Sequence, residues 1–401
     1  MNLTTYRIKD LVVNLVDNRG RNPDYYEIEF YPVIDNFMIK NQLYPDLSLA
    51  KRYLSQEQFS SFLRGYIRKD DLLITLVGNG IANVTLAPHS NCAIVQNTIG
   101  LSFNEDICDK YYMFYYFKEI NTSIRNLDRG SSQPSVNRED LFRIKTKLPQ
   151  KRTQTDIGKI AYNYDQVICN NDMQIKLLEV TAENLYKEWF VRFRFPNHKK
   201  SRFEFQNPRG WMLSTCDSKM RIPIGWKYDE LINIAEFKRG KNVTAAEMIE
   251  GDIPVISAGL NPSGYHNEAN VFGKNITVSS SGANAGYLSY HLSDIWAADC
   301  SYYQSDSNLW FVYNALKFLQ PVISNMQVGS AQPHVYAKTI NKLSTIIPPN
   351  ELIELYCEKV NPIYEQIRLL TLANENLVKQ RDALLPRLMS GKLNLEGKEI
   401  V

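Results

Sequence analysis

The stretch Gly130-Ser131-Ser132-Gln133-Pro134-Ser135-Val136 returns 199 residues later as Gly329-Ser330-Ala331-Gln332-Pro333-His334-Val335. The same offset relates Pro149 to Pro348 further along the chain. Repetition at a fixed offset over such a distance is typical of a duplicated structural unit. The sequence therefore predicts two equivalent modules.

Other segments repeat as well, at offsets that fall steadily along the chain. They are Arg19-Gly20-Arg21-Asn22 with Arg239-Gly240-Lys241-Asn242, 220 residues apart; 72–75 with 276–279, 204 residues apart; and 174–185 with 366–377, 192 residues apart. Two equivalent units whose loops differ in length produce such a fall. We therefore expect one duplicated module rather than a solenoid of many short repeats.

Each module has the sequence pattern of a mixed α/β unit. Short apolar runs predict strands, a longer aromatic run predicts a helix, and one segment fits either a strand or a short helix: strands at 71–77, 92–95, 253–257 and 275–279, a helix at 111–120, and the ambiguous segment at 7–15. The predicted fold class is α+β, with two duplicated mixed α/β modules at 1–150 and 205–349. A central helix and a basic linker are expected over 151–204, and a second long helix over 350–401.

Both long helices carry apolar residues at alternating spacings of four and three, the pattern of a coiled-coil seam. The first seam is Ile157, Ala161, Tyr164, Ile168, Asn171, Ile175, Leu178, Ala182, Leu185 and Trp189. The second is Ile353, Tyr356, Val360, Ile363, Ile367, Leu370, Asn374, Leu377, Arg381, Leu384 and Leu388, and its helix is expected to stop at Gly391. The repeat offset drops from 199 to 192 between the two helices, which is one heptad and keeps the seam in phase. We therefore expect the two helices to form an antiparallel coiled coil.

Composition and missing motifs limit the classes of function. The 46 Lys and Arg residues against 43 Asp and Glu give a net charge of +3, which neither requires nor excludes nucleic acid as a ligand. No apolar run approaches the ~18 residues of a membrane span, and the six scattered cysteines predict reduced thiols in a cytoplasmic protein without membrane contact. The sequence has no P-loop, no dinucleotide fingerprint and no metal-ligand spacing of histidines. We expect a non-catalytic chain that holds neither a cofactor nor a metal.

The repeated segments contain side chains of the types that bond to DNA bases and phosphates. The candidate DNA-binding residues are Arg19, Arg21, Asn22, Asn79, Ser131, Ser132, Gln133, Arg239, Lys241, Asn242, Ser281, Asn284, Ser330 and Gln332. The Gly-Ser-x-Gln-Pro stretch has a second interpretation, a helix-capping turn in which the glutamine bonds to the backbone. Repetition does not separate the two interpretations, because a duplicated module also repeats its structural turns.

Several motifs resemble the specificity subunits of type I restriction-modification systems. They are the Gly-Ser-x-Gln-Pro stretches, Ile222-Pro223-Ile224-Gly225-Trp226 at the start of the second module, the aromatic segment 185–193, and Leu384-Leu385-Pro386-Arg387-Leu388-Met389-Ser390-Gly391 near the end. The first module departs from the family pattern because it lacks the Pro-x-Gly-Trp opening.

The resemblance implies that each module is a target-recognition domain for one half of a split sequence in double-stranded DNA. It also implies that the coiled coil sets the spacer between the halves and docks two methyltransferase subunits, which are joined by restriction subunits. S-adenosylmethionine, ATP and magnesium are expected on those partners, with no cofactor in this chain. The alternatives are the specificity subunit of a bifunctional type II restriction-methylation enzyme and a coiled-coil interaction scaffold without a DNA role.

Overall fold

The structure is a computed structural model that describes residues 3–21, 23–27, 30–128, 133–206, 220–326 and 333–393. The described residues fall into two compact units, the first within 1–170 and 373–401 and the second within 171–372. Each long helix contributes to both units. The domain boundaries expected from the sequence, at 150, 204 and 349, remain a prediction.

Short strands and helices precede the first long helix. They are β1 (Leu3–Arg7), α1 (Ile8–Leu11), β2 (Val12–Val16), β3 (Tyr31–Pro32), β4 (Tyr53–Leu54), α2 (Gln56–Ser61), β5 (Leu72–Thr75), β6 (Val84–Leu86), β7 (Thr98–Phe103), α3 (Lys110–Glu119), α4 (Asn121–Arg125), α5 (Arg138–Arg143) and β8 (Lys145–Pro149). The first long helix is α6 (Lys151–Tyr186), followed by a π-helical turn over Lys187–Val191.

The second half of the chain has the same general order and ends in the second long helix. Its elements are β9 (Phe203–Gln206), β10 (Met220–Pro223), β11 (Lys227–Glu230), β12 (Lys238–Arg239), β13 (Ile253–Ile256), β14 (Gly264–His266), β15 (Asn275–Ser279), β16 (Leu288–His291), β17 (Trp296–Ala297), β18 (Cys300–Gln304), α7 (Leu309–Phe318), α8 (Gln320–Asn325), α9 (Ala337–Asn341), β19 (Ser344–Ile347) and α10 (Asn350–Met389).

Sheet topology confirms the duplication. A four-stranded sheet in the order β2-β7-β5-β6 has its counterpart in β12-β18-β15-β16, and every pairing in both sheets is antiparallel. The two-stranded ribbon β1-β8 likewise has its counterpart in β11-β19. In each unit a ten-residue helix, α3 or α7, follows the last strand of the sheet in the chain, β7 or β18. The fold class is therefore α+β, with two copies of one mixed module.

The predicted strands at 71–77, 253–257 and 275–279 correspond to β5, β13 and β15, and the ambiguous segment 7–15 forms both α1 and β2. The strand predicted at 92–95 is wrong, since Ala93 makes only an isolated bridge to Val33. All four side chains of this segment are at most 2% exposed. The run is apolar because the segment is a buried loop, and its Ile94 carbonyl is satisfied by the side-chain amide of Asn18, 3.0 Å away, instead of by a strand ladder.

The two long helices bury the predicted seam. None of the seam residues named above is exposed, and α10 stops where expected, since Gly391 has a φ of +73°, a conformation that glycine adopts without strain. Ile157 and Ala161 share the core of the first unit with Leu385 and Leu388. The start of α6 therefore packs with the end of α10 in this unit.

The opposite ends of the same helices share the core of the second unit. There the Tyr356 hydroxyl donates to the Ala182 carbonyl at 3.1 Å. Tyr290 links the helices one step further along, because its hydroxyl donates to Glu179 at 2.6 Å and its ring lies 5.6 Å from that of Tyr364. The end of α6 thus packs with the start of α10, and together with the pairing in the first unit this confirms the antiparallel arrangement.

One charged residue occupies the seam in the first unit. The guanidinium of Arg381 bonds to the Asp165 carboxylate, and the two side chains are only 13% and 6% exposed. Asp165 also accepts a hydrogen bond from the Tyr115 hydroxyl at 2.6 Å, and burial together with this carboxylate raises the pKa of Tyr115 far above its usual value. Since Asp165 lies on α6, Arg381 on α10 and Tyr115 on α3, the cluster joins the helix pair to the module.

Replacing Arg381 by alanine leaves the buried Asp165 carboxylate without its counter-charge. We expect the variant to lose about 3 kcal/mol or more of unfolding free energy, measured by chemical denaturation. Arg368→Ala on the same helix is the matched control, because Arg368 pairs with Glu365 at the surface and such pairs contribute about 1 kcal/mol or less. Equal losses in the two variants would contradict a structural role for the buried pair.

Candidate nucleic-acid interface

Strand direction brings the candidate residues of the first module to one end of its sheet. Strands β2 and β5 are both antiparallel to β7, so they run in the same direction. The segment with Arg19 follows β2, and the loop with Asn79 follows β5. These two segments, separated by more than 50 residues, therefore leave the sheet at the same end.

The second module repeats this arrangement. Strands β12 and β15 are both antiparallel to β18, so the segments that follow them, with Lys241 and Ser281, also leave the sheet at one end. Contacts with the turn before β18 connect the two segments. The Lys241 amide donates to the Ala297 carbonyl at 2.9 Å, and the Ser281 hydroxyl donates to the Asp299 carboxylate.

The described part of each Gly-Ser-x-Gln-Pro stretch braces the loop that follows β5 or β15. In the first module the Gly78 amide donates to the Pro134 carbonyl at 2.9 Å, and the Val136 amide donates to Leu76 at 2.8 Å. In the second, the same two bonds join Gly282 to Pro333 at 3.1 Å and Val335 to Ser280 at 3.0 Å. Each stretch thus lies at the same end of its sheet as the repeated basic segment of that module, which contains Arg19 or Lys241.

The structure also bears on the helix-capping interpretation. Helix α5 is capped by Asn137, whose side-chain oxygen accepts from the Glu139 amide at 2.9 Å. Gln133 is exposed, and its Nε2 lies 3.9 Å from the position that a β-carbon on Gly78 would take. The side-chain cap of α5 is therefore not supplied by the glutamine, which lies beside the loop after β5.

Arg19 lies in a tight turn at the start of the first repeated basic segment. The Arg21 amide donates to the Asn18 carbonyl at 3.1 Å, and Gly20 has a φ of +77°. A positive φ at the third position is the requirement of a type II turn and favours glycine there. Arg19 is the second residue of this turn, so its side chain projects from a fixed backbone.

The buried side chain of Asn18 holds this turn in place. Asn18 is 1% exposed, and its amide group donates to the carbonyls of Gly65 and Ile94, both at 3.0 Å. Its oxygen accepts from the amides of Arg64 at 2.9 Å and Gly65 at 3.2 Å. All four hydrogen bonds open to an asparagine side chain are made, so the turn and the segment with Arg64 are fixed relative to each other.

A single carboxylate binds two arginines beside the turn. Arg19 donates to Asp17 through Nε at 2.9 Å and Nη2 at 2.7 Å, and Arg138 at the start of α5 donates to the same carboxylate at 3.3 Å. Burial alone would raise the pKa of Asp17, but the hydrogen bonds and charge of Arg19, with the charge of Arg138, lower it below its usual value. Asp17 is therefore a carboxylate whose charge is balanced by its neighbours.

The other candidates lie at different degrees of exposure. Arg21 is partly buried with its guanidinium carbon 5.3 Å from the centre of the Phe62 ring, and Lys241 lies 5.9 Å from that of Trp296. Exposed candidates are Asn79, Arg239, Lys241 and Asn242, whereas Ser281 and Asn284 are partly buried. Asn22, Ser131, Ser132, Ser330 and Gln332 lie outside the described residues.

Sequence reasoning missed the residues that organise the first basic segment. Asp17 and Asn18 precede Arg19 directly, and Asp or Asn before a glycine is a turn signal that could have identified them. Arg64 and Arg138 carried no such signal, because they are 45 and 121 residues away from their partners. Only the fold brings them to the site.

The described residues contain no group of three or more His, Cys, Asp or Glu side chains that could hold a metal ion. Among the helices of the described segments, none is long and apolar enough to cross a membrane. The candidate residues themselves are basic, amide and hydroxyl side chains, a set that suits hydrogen bonding to a polyanion.

The fold and the loops define a class of protein: a duplicated mixed α/β module, with polar and basic loops at one end of each sheet, built on a pair of antiparallel helices. The family profile described as the type I restriction modification DNA specificity domain matches residues 2–179 and 223–377. The chain belongs to this family. DNA recognition is therefore its function, which confirms the prediction from the resemblance, and its role is that of a recognition chain rather than a catalytic one.

Named relatives agree with the family assignment. The MjaIX type I restriction enzyme specificity subunit of Methanocaldococcus jannaschii is 24% identical over 306 residues, which cover 71% of this chain and 69% of the relative. The HindI specificity subunit of Haemophilus influenzae is 22% identical over 69% of this chain and 74% of its own length. The fold is similar to the crystal structure of the type I S subunit from M. genitalium, with a TM-score of 0.58, 17% identity and coverage of 97% and 96% of the two chains.

Gly240 gives a direct test of how the second basic segment is packed. A β-carbon on Gly240 would lie 2.3 Å from the Ala298 carbonyl oxygen, so Gly240→Ala must displace Arg239 and Lys241 from the turn before β18. We expect a loss of about 1–3 kcal/mol in unfolding free energy and faster hydrogen exchange at the Lys241 amide. Gly259→Ala is the control, since its closest contact would be 3.3 Å; similar behaviour of the two variants would contradict the packing.

Proposed function

We propose that this chain is the specificity subunit of a type I restriction-modification complex and that each module reads one half of a split DNA target. The observation that carries the proposal is the repeated topology, which gives each module a basic segment and a braced polar loop at one end of an antiparallel sheet. Two copies of one reading surface in one chain correspond to two recognised sequences.

We assign the reading of the two halves to the repeated loops. The first half would be contacted by Arg19, Arg21, Asn22, Asn79, Ser131, Ser132 and Gln133, and the second by Arg239, Lys241, Asn242, Ser281, Asn284, Ser330 and Gln332. Arginine and the amide side chains bond to base edges in the major groove, and lysine, serine and arginine bond to phosphates. A net charge of only +3 makes these local groups, rather than the whole-chain charge, the source of attraction to DNA.

The paired helices are proposed to set the spacer between the two recognised sequences. Helix α6 has 36 residues and α10 has 40, and 36 residues at 1.5 Å per residue span about 54 Å. Because the buried seam keeps a heptad phase in both helices, their length can change by whole heptads while the packing of each end with its module is preserved.

The remaining proposals concern the partners. Two methyltransferase subunits would dock on the paired helices and supply the S-adenosylmethionine chemistry, and restriction subunits with ATP and magnesium would complete the complex. Support comes from the family and from the relatives named as subunits of type I restriction enzymes. The base-reading loops and the proposed docking helices are separate elements of the chain, so one chain can hold DNA and partners together.

Deletion of one heptad from each helix tests the spacer. Removing 171–177 and 368–374 preserves the seam spacing at both junctions and shortens each helix by about 10 Å, or about three base-pair steps of DNA. We expect the recognised halves to stay the same and the spacer between them to shorten by about three base pairs, measured by mapping methylated sites. Deleting four residues from each helix instead rotates the seam and should abolish assembly; an unchanged spacer in the heptad variant would contradict the proposal.

A further inference from the structure

Arg19 differs from the other candidate residues in that its guanidinium is already oriented in the absence of DNA. Its Nε and Nη2 atoms both donate to the Asp17 carboxylate, at 2.9 and 2.7 Å. The Nη1 atom and one hydrogen of Nη2 remain for another acceptor, and the side chain is 29% exposed. The backbone below it is fixed by the type II turn and by Asn18, which is fully hydrogen-bonded.

The charges around Arg19 suit an electronegative acceptor. Arg138 shares the Asp17 carboxylate at 3.3 Å and also lies 3.1 Å from the exposed Glu139. Arg64 donates to the Arg19 carbonyl at 3.1 Å and adds a third guanidinium to the cluster. The Asp17 charge is thus more than balanced, so it does not repel the phosphates of an approaching duplex.

The second module does not repeat the charged residues that contact the Arg19 side chain. At the repeat offsets, Asp17 corresponds to Phe237 and Arg138 corresponds to Ala337. Arg239, the counterpart of Arg19, is exposed and forms no ion pair within the described part of the chain. An apolar side chain thus stands in the second module at the position that corresponds to the carboxylate beside Arg19.

We propose that Arg19 reads a guanine in the first half of the target and that Asp17 is the positioning residue that orients it. The inference rests on the proposed function and deepens it. A planar guanidinium donates two parallel N–H bonds to the O6 and N7 atoms of guanine. No other base offers two such adjacent acceptors in the major groove. Orienting the guanidinium before binding reduces the entropic cost that an unrestrained arginine pays on contact. The orientation therefore adds to the discrimination in favour of guanine.

The test uses the full-length chain co-expressed with the methyltransferase of its own system. Duplexes from a library randomised across the target are selected for binding and sequenced, with Arg19→Lys and Asp17→Asn compared with the unchanged protein. We expect Arg19→Lys to lower the preference for guanine at one position of the first half by about tenfold to a hundredfold, the range of a bidentate base contact. The second half should be unaffected, because its loops belong to the other module.

Asp17→Asn separates positioning from attraction. It should lower the same guanine preference while leaving affinity for non-specific DNA at least as high, because one negative charge near the phosphates is removed. Arg143→Lys is the matched control, since Arg143 is 74% exposed on α5, and its selected sequences should equal those of the unchanged protein. If Asp17→Asn does not fold, Asp17→Glu tests the positioning instead, because it keeps the charge but moves the carboxylate, and an unchanged guanine preference in that variant would contradict the role of Asp17.

The remaining outcomes are distinct. A first half without guanine, or an Arg19→Lys variant that binds all sequences more weakly by the same factor, would overturn the inference and assign Arg19 to a phosphate. If the unchanged protein selects no split sequence, the proposed function itself fails. Loss of the guanine preference in one half alone supports both.

Discussion

The structure depends on the burial of one apolar seam along two antiparallel helices. Neither module completes its core without them: Ile157 and Leu388 belong to the core of the first unit, and Ala182 and Tyr356 to that of the second. Exposing Ile157 or Leu388 to water would alone cost about 1.5–3 kcal/mol each. The helices are therefore part of the fold of each module and cannot act as detached linkers.

The position of the candidate site follows from a second constraint, the direction of strands. Two strands that are both antiparallel to a shared neighbour run in the same direction, so the segments that follow them leave the sheet at the same end. This brings together segments that are distant in sequence. Backbone bonds from Gly78 and Gly282 to the proline-containing stretches then fix the loops. The strand directions and these loop bonds both act through the backbone. The loop side chains can therefore differ between the modules, as Asp17 and Phe237 do, while the framework is kept.

Much of this was predictable from the sequence, and the rest was not for identifiable reasons. The duplication follows from repeats along the chain, and the heptad seam, the end of α10 at Gly391 and the strand β5 follow from local periodicity and turn chemistry. Arg381 was placed in the seam correctly, but its partner Asp165 lies 216 residues away and has no signature in sequence. The same holds for Arg138 and Asp17, and apolar content alone could not distinguish the buried loop at 92–95 from a strand.

Mapping of methylated sites in cells that carry this chain with its partner methyltransferase tests the central claim most directly. Two reading modules attached to one helix pair should yield a target of two defined sequences separated by a spacer of constant length and random sequence. A single continuous target, or two sequences whose separation varies from site to site, would contradict the account.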